Sequence, residues 1–142
     1  AEFNSLLNLD PESITRQFEV NALSPLLFTE AFLENMEQGS KVALMTSRMG
    51  SIEDNTSGAS YGYRISKAAL CMIGKSLSID LRPKGIAVAI LHPGLVSTRM
   101  TGFTSNGITP TESVNGLLER IDLLTLENSG TFWHSNGTIL PW

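Results

Sequence analysis

The sequence contains a single cysteine, Cys71, and this scarcity excludes two kinds of structural site. One thiol cannot form an internal disulfide, and it cannot build a cysteine-based zinc centre. The histidines and acidic residues do not offer an alternative, because no two candidate ligands share a ligand-like spacing on a common element. We therefore expect no metal site, and a reducing, cytoplasmic environment.

Positive charge and long apolar runs are also scarce. Ten Lys and Arg stand against 14 Asp and Glu, the net charge is −4, and the basic residues are scattered singly. An acidic chain without a polybasic tract disfavours nucleic acid or an anionic membrane surface as a partner. No strictly apolar run is longer than residues 86–91, which is far shorter than a membrane span. We expect one globular domain that binds neither nucleic acid nor a membrane.

The sequence does contain a regular alternation of helical and strand patterns. The helical patterns cover residues 10–36, 62–81 and 109–124, and the strand patterns cover residues 41–47, 86–91 and 131–133. Such an alternation predicts right-handed crossovers and a parallel sheet with helices on both faces. We predict an α/β fold in which three strands alternate with three helices within a single domain, residues 1–142.

A proline interrupts the first helical pattern. Pro25 has no N–H for the carbonyl of Asn21, and its ring pushes that carbonyl aside. The sequence therefore predicts either a simple kink or two helices that meet at this position. A second interpretation is that the Asn21 carbonyl is left free to bind water or a lysine.

A tyrosine and a lysine stand four residues apart at the start of the second helical pattern. Tyr63 and Lys67 would lie on one face of the helix, one turn apart. A nearby ammonium favours the phenolate and lowers the pKa of the tyrosine, which makes the pair a plausible acid/base device. A helix surface that merely carries both residue types is the plain alternative.

Two further polar features follow the ends of strands. Ser47 ends the first strand pattern, and Pro93-Gly94 follows the second. Each is also an ordinary turn feature, but ligands of open parallel sheets bind beyond the carboxyl ends of the strands. Together with Tyr63, which begins the helix between these strands, they indicate a site at one edge of the sheet.

A serine hydrolase is an alternative interpretation of the same edge. Ser47, His92 and an acid such as Asp54 or Asp80 supply the residue types. However, Met45 and Met49 flank the serine, where the nucleophile elbow of such enzymes requires glycines.

These residues resemble the motifs of the short-chain dehydrogenase/reductase family. Tyr63-Arg64-Ile65-Ser66-Lys67 matches its Tyr-x-x-x-Lys motif, and Ser47 and Asn21 match its active-site serine and asparagine. The segment 93–98 matches its Pro-Gly-x-Val-x-Thr sequence. The ending, with Asn-Gly at 136–137 and Pro-Trp at 141–142, is similar to the branch that contains the C-factor and Sniffer-type carbonyl reductases.

The resemblance implies a Rossmann-type doubly wound sheet, NAD or NADP as cofactor, and a small carbonyl or alcohol substrate. Tyr63 would exchange a proton with the substrate oxygen, and Ser47 would hold that oxygen by a hydrogen bond. Lys67 would contact the nicotinamide ribose and lower the tyrosine pKa, while the Asn21 main-chain carbonyl would hold a relay water. The cofactor-binding residues implied in addition to Tyr63 and Lys67 are Pro93, Gly94, Val96 and Thr98.

One part of the family pattern is not found. No two of the 12 glycines stand two residues apart, so the motif of the glycine-rich phosphate loop does not occur in this sequence. We therefore expect a truncated chain that carries the catalytic and substrate half of the fold without its N-terminal half. Such a chain would bind no cofactor and be inactive alone. The alternative is a non-catalytic signalling fragment that forms homo-oligomers, such as dimers, through its apolar helices, residues 21–36 and 62–81.

Overall fold

The computed structural model describes residues 2–142 and shows the predicted alternation of helices and strands; the predicted domain boundary at residue 1 lies outside the described residues. The elements are α1 (Pro11–Phe18), α2 (Ser24–Ala31), β1 (Lys41–Met45), α3 (Tyr61–Asp80), β2 (Ala87–His92), α4 (Pro110–Asp122) and β3 (Phe132–His134). Within residues 2–142, no helix combines the length and the apolarity that crossing a bilayer would require.

The three strands form one parallel sheet, as predicted, and the structure gives their order as β1-β2-β3. Val42 of β1 pairs with Val88 of β2, and Ile90 of β2 pairs with Phe132 of β3. The central strand β2 is almost wholly buried, which explains its unbroken apolar sequence. Among residues 2–142, strand β1 has a neighbour on one side only, so its other edge is open.

Helices cover both faces of the sheet, and successive residues of β2 point to opposite faces. Val88 and Ile90 belong to a core cluster with residues of α3. Ala89 and Leu91 belong to a second cluster, which includes Leu117 of α4. The fold is therefore a partial Rossmann-type, doubly wound α/β arrangement, in agreement with the sequence prediction.

The first helical pattern is two helices, which was one of the two arrangements that Pro25 predicted. A π-helical segment, Glu19–Leu23, separates α1 from α2, and the N–H of Ser24 donates to the carbonyl of Glu19. Pro25 occupies the first turn of α2, where its missing N–H costs least. The wide turn thus absorbs the distortion that a proline in a continuous helix would cause.

Candidate active site

The candidate catalytic residues meet at the carboxyl ends of β1 and β2. Ser47 lies two residues beyond β1, Tyr63 is the third residue of α3, and Pro93 directly follows β2. A cavity of about 370 Å³ lies between them. Six residues named from the sequence line this one cavity: Ser47, Tyr63, Pro93, Gly94, Val96 and Thr98.

The serine is held in place by its neighbours. The Thr46 hydroxyl donates to the carbonyl of Lys67 at 3.0 Å and lies 3.5 Å from the sulfur of Cys71, which attaches the end of β1 to α3. The Ser47 hydroxyl accepts a hydrogen bond from the N–H of Met49 at 3.1 Å. Both contacts fix the serine at the start of the loop, on the side of α3 that carries the tyrosine.

Arg64, inside the Tyr-x-x-x-Lys motif, organises the loop that leads into α3. Its Nε donates to the carbonyls of Gly58 and Ala59, both at 3.2 Å, and one terminal nitrogen donates to the hydroxyl of Ser57 at 2.9 Å. Ala59 and Ser60 adopt positive φ angles of 54° and 53°, which are strained for residues with a side chain. The arginine therefore stabilises the strained entry that orients Tyr63.

The pKa of Tyr63 departs from the sequence expectation. Burial raises it above its ordinary value, and hydrogen bonding by the Ser47 side chain opposes the rise. The ammonium of Lys67 lies 5.6 Å from the centre of the tyrosine ring and donates to the carbonyl of Met45 at 3.2 Å. Burial also lowers the pKa of Lys67. The pKa of Tyr63 is thus shifted in the direction opposite to the expected lowering, because desolvation outweighs the hydrogen bond from Ser47.

Asn21 is connected to the motif through its side chain. Its Nδ2 donates to the hydroxyl of Ser66 at 3.0 Å, and that hydroxyl donates to the carbonyl of Tyr63 at 2.8 Å. Asn21 and Lys67 both line a groove of about 650 Å³ beside the open edge of β1. The structure therefore brings the two residues to one surface, while the role of the Asn21 carbonyl stays a prediction.

The turn after β2 is fixed by residues that the sequence analysis missed. The carbonyl of Pro93 accepts hydrogen bonds from the hydroxyls of Ser113 at 2.6 Å and Ser135 at 3.1 Å. Gly94 has a φ of +89°, and a Cβ there would lie 3.1 Å from Cδ1 of Ile108. Isolated serines in a helix and after a strand carry no motif, so only the fold reveals their role.

Two histidines, also missed as a pair, lie side by side next to Ser47. The rings of His92 and His134 have centroids 4.9 Å apart and meet edge to face at 88°. Burial, together with the nearby His134 and Arg48, lowers the pKa of His92 to about 4. These three residues line a second cavity, of about 420 Å³, with Ser47 and Tyr63.

The same geometry argues against a serine hydrolase. The Nδ1 atom of His92 is buried and has no hydrogen-bond partner among the described residues. The Asp54 carboxylate instead pairs with Arg48 at 2.7 Å. A Ser-His-acid relay needs an acid on the second histidine nitrogen, so this arrangement does not form one.

The chain is similar to known proteins in sequence. Residues 1–108 match the short chain dehydrogenase family. The chain is 48% identical over 138 residues to the 1-hydroxy-2-glutathionyl-2-methyl-3-butene dehydrogenase of a Rhodococcus strain, covering 95% of this chain and 61% of that protein. It is 46% identical over 140 residues to the C-signal of Myxococcus xanthus, covering 97% of this chain and 84% of that protein.

Solved structures match the fold. The NADPH-bound carbonyl reductase from chicken fatty liver superimposes with a TM-score of 0.91 at 31% identity, and the match covers 100% of this chain and 62% of that one. The carbonyl reductase Sniffer of D. melanogaster gives a TM-score of 0.89 at 30% identity, with the same coverage of 100% and 62%. The chain thus spans about three fifths of the length of most of these proteins. It belongs to the short-chain dehydrogenase family.

Proposed function

We propose that the chain is the catalytic and substrate half of a nicotinamide-dependent oxidoreductase that interconverts a carbonyl compound and its alcohol. The observation that carries this proposal is the shared cavity. Ser47 and Tyr63, the two groups able to hold and protonate a carbonyl oxygen, border the same space as the Pro93-Gly94 turn. An acid next to a cavity at the carboxyl ends of parallel strands is the arrangement that this chemistry requires.

The residues around this cavity fit the nicotinamide end of a dinucleotide. The positive φ of Gly94 and the absence of a side chain leave the backbone open at the point where a Cβ would crowd Ile108. Val96 forms a bridge to Ile108, and the Thr98 N–H donates to Thr101 at 3.0 Å, so the segment has a defined path along the cavity. Pro93, Gly94, Val96 and Thr98 would hold the cofactor, whose nicotinamide supplies or accepts a hydride when bound.

Side chains of this chain bind the substrate oxygen and exchange a proton with it. A raised pKa keeps the Tyr63 phenol protonated near neutral pH, so it can donate its proton to a carbonyl oxygen during reduction. The Ser47 hydroxyl donates a hydrogen bond to the same oxygen and polarises the carbonyl. Lys67, which carries a positive charge next to the tyrosine ring, favours the phenolate left after proton transfer. In oxidation the phenolate takes the proton back from the alcohol.

We further propose that this chain is inactive alone. The groove that contains Asn21 and Lys67 lies beside the open edge of β1, so no further strand formed by residues 2–142 closes this side of the site. A titration of Trp133 and Trp142 fluorescence with NADPH and NADH should show no saturable site. Clear saturation with either dinucleotide would contradict this part of the proposal.

The catalytic assignment needs a complete cofactor site for its test. We suggest a chimaera in which the unmatched part of the Rhodococcus relative is joined to this chain, with oxidation of NADPH or NADH measured against small ketones and aldehydes. Tyr63→Phe should lower the turnover at least about 100-fold, since a positioned acid contributes that much. Tyr61→Phe, which changes the neighbouring phenol outside the cavity, should retain activity. An active Tyr63→Phe chimaera would refute the role of the tyrosine.

A second candidate function is assembly with another copy of this chain. It is favoured by the open edge of β1, which exposes unpaired backbone groups, and by exposed apolar side chains on the helices next to it. Phe28 is 67% exposed and Met72 is 68% exposed. Light scattering at increasing protein concentration tests this candidate, and a monomer at every concentration counts against it.

A further inference from the structure

One end of the candidate active site contains side chains that proton and hydride transfer do not use. Arg48, His92 and His134 line the cavity of about 420 Å³ together with Ser47 and Tyr63. The three residues come from the loop after β1, the end of β2 and the end of β3, so only the folded sheet brings them together. Their number and polarity indicate recognition of a second group on the substrate.

Both histidines present an N–H donor from the same ring position. Nδ1 of His134 accepts a hydrogen bond from the N–H of Asn136 at 3.0 Å, so the proton of the neutral ring lies on Nε2. For His92, a proton on Nε2 avoids leaving an unpaired N–H at the buried Nδ1. Burial lowers the pKa of both rings, which keeps them neutral near pH 7. Each ring therefore has one Nε2–H available to an oxygen acceptor.

The charge of this cavity is opposite to that of the whole chain. The net charge of the protein is −4, yet no acidic side chain lines either cavity next to Ser47 within residues 2–142. Arg48 is the charged residue of the second cavity, and its field lowers the pKa of both histidines. Asp54 pairs with Nε of Arg48, but it lies outside the lining of the cavity.

We propose that this site acts on carbonyl or alcohol substrates that also carry a carboxylate. The carboxylate accepts hydrogen bonds from His92 and His134 and faces the guanidinium of Arg48, while the reacting oxygen lies at Ser47 and Tyr63. The apolar lining formed by Phe3, Leu95 and Met100 contacts the carbons between the two groups. This inference rests on the proposed oxidoreductase function and specifies its substrate class.

The chain offers a direct probe, because it contains two histidines only. In the isotope-labelled chain, the Cε1–H signals of the two imidazole rings report on the cavity by NMR without any turnover. Titration with levulinate, an oxo acid, should shift both signals to saturation near pH 7. Methyl levulinate, which keeps the ketone and removes the charge, should shift them far less. Equal shifts with acid and ester, or no saturable shift with levulinate, would overturn the proposal.

Two variants test whether levulinate binding depends on the charge of Arg48. Arg48→Gln should weaken levulinate binding about fivefold, as expected for the loss of one partly exposed charge. Arg16→Gln removes an equal charge from α1, outside this cavity, and should leave the affinity unchanged. Equal weakening by both variants would show a general charge effect and refute the site. A dispersed backbone spectrum confirms that each variant is folded.

The chimaera separates this inference from the proposed function. If it reduces methyl levulinate as efficiently as levulinate, the carboxylate site is refuted while the oxidoreductase assignment stands. If it reduces neither compound although levulinate saturates the histidine signals, the carboxylate site stands and the catalytic assignment fails.

Discussion

At the scale of single residues, burial rather than charge pairing decides the behaviour of the titrating groups in this site. Tyr63 and Lys67 form the expected pair on one helix face, yet desolvation raises the pKa of the first and lowers that of the second. Both shifts favour the neutral form, as expected for groups removed from water. A sequence gives the spacing of such a pair but not the depth at which it lies.

The His92 ring makes the stability of the chain depend on pH. Its pKa is about 4 in the folded state against 6.5 for the free side chain, so the unfolded state binds the proton more tightly between these values. Stability is therefore present above pH 6.5 and is lost as the pH falls towards 4. Allowing for partial exposure, we expect a loss of about 1 to 2 kcal/mol in the free energy of unfolding between pH 7 and pH 5.

Urea denaturation at a series of pH values measures this loss, and His92→Gln identifies its source. The variant should flatten the stability profile between pH 7 and pH 5, because its side chain does not titrate. His134→Gln is the matched control and should flatten it less, since that ring is more exposed. If His92→Gln keeps the full pH dependence of the original chain, the lowered pKa of His92 is not its cause.

Two constraints, backbone conformation and crowding by neighbours, act on Gly94, and the stability cost of each can be measured separately. Its φ of +89° disfavours any side chain, and a Cβ would lie 3.1 Å from Ile108 and 3.2 Å from His134. Gly39 has nearly the same φ, +93°, with nothing within 4 Å of its Cβ position. Gly39→Ala should cost about 1 kcal/mol of stability through backbone strain. Gly94→Ala should cost about 1 kcal/mol more through crowding.

The comparison of the two alanine variants uses thermal and urea unfolding under the same conditions. The difference between them isolates packing against the cavity wall, because the backbone strain is common to both. Equal destabilisation would mean that Ile108 and His134 move aside, and the turn would then be less rigid than its contacts indicate.

At the scale of helices and strands, most of the architecture could be predicted from the sequence, because each element carries a local signal. The apolar run that became β2 and the Thr109 cap of α4 are examples: the cap forms the capping box that Thr-Pro-Thr-Glu indicates. The π-helical segment Glu19–Leu23 could not be predicted. Pro25 predicts an interruption of the helix, but only packing decides whether the helix kinks or forms a wider π-helical turn.

The residues of the candidate site also fall into those that could be predicted from the sequence and those that could not. Ser47, Tyr63 and the Pro93-Gly94 turn could be named in advance, since they belong to contiguous motifs at element ends. Arg48, Ser113 and His134 could not, because each comes from a different element and has no motif of its own. Their relation exists only after β2 and β3 pair and α4 packs on the sheet.

At the scale of the whole molecule, the open edge of β1 is the feature from which we predict self-association of the chain. The N–H of Ala87 donates to Ser40 and the N–H of Thr46 donates to Leu91, so the even-numbered residues of this strand bond to β2. By the alternation of the ladder, the N–H and carbonyl of Ala43 face the open side. The carbonyl of Met45, on that same side, accepts from Lys67 instead.

We predict that the chain associates with itself through this edge and that Ala43→Pro prevents the association. Proline removes an N–H that, by this alternation, has no partner in the sheet formed by residues 2–142, so the cost in stability should stay near 1 kcal/mol. Leu44→Pro is the contrasting variant, because it removes a bond to β2 and should cost about 3 kcal/mol or more. Light scattering over a concentration series measures association, and circular dichroism confirms folding. If Ala43→Pro associates as strongly as the original chain, backbone pairing at the edge of β1 is not the contact between copies. The exposed helices would then make that contact.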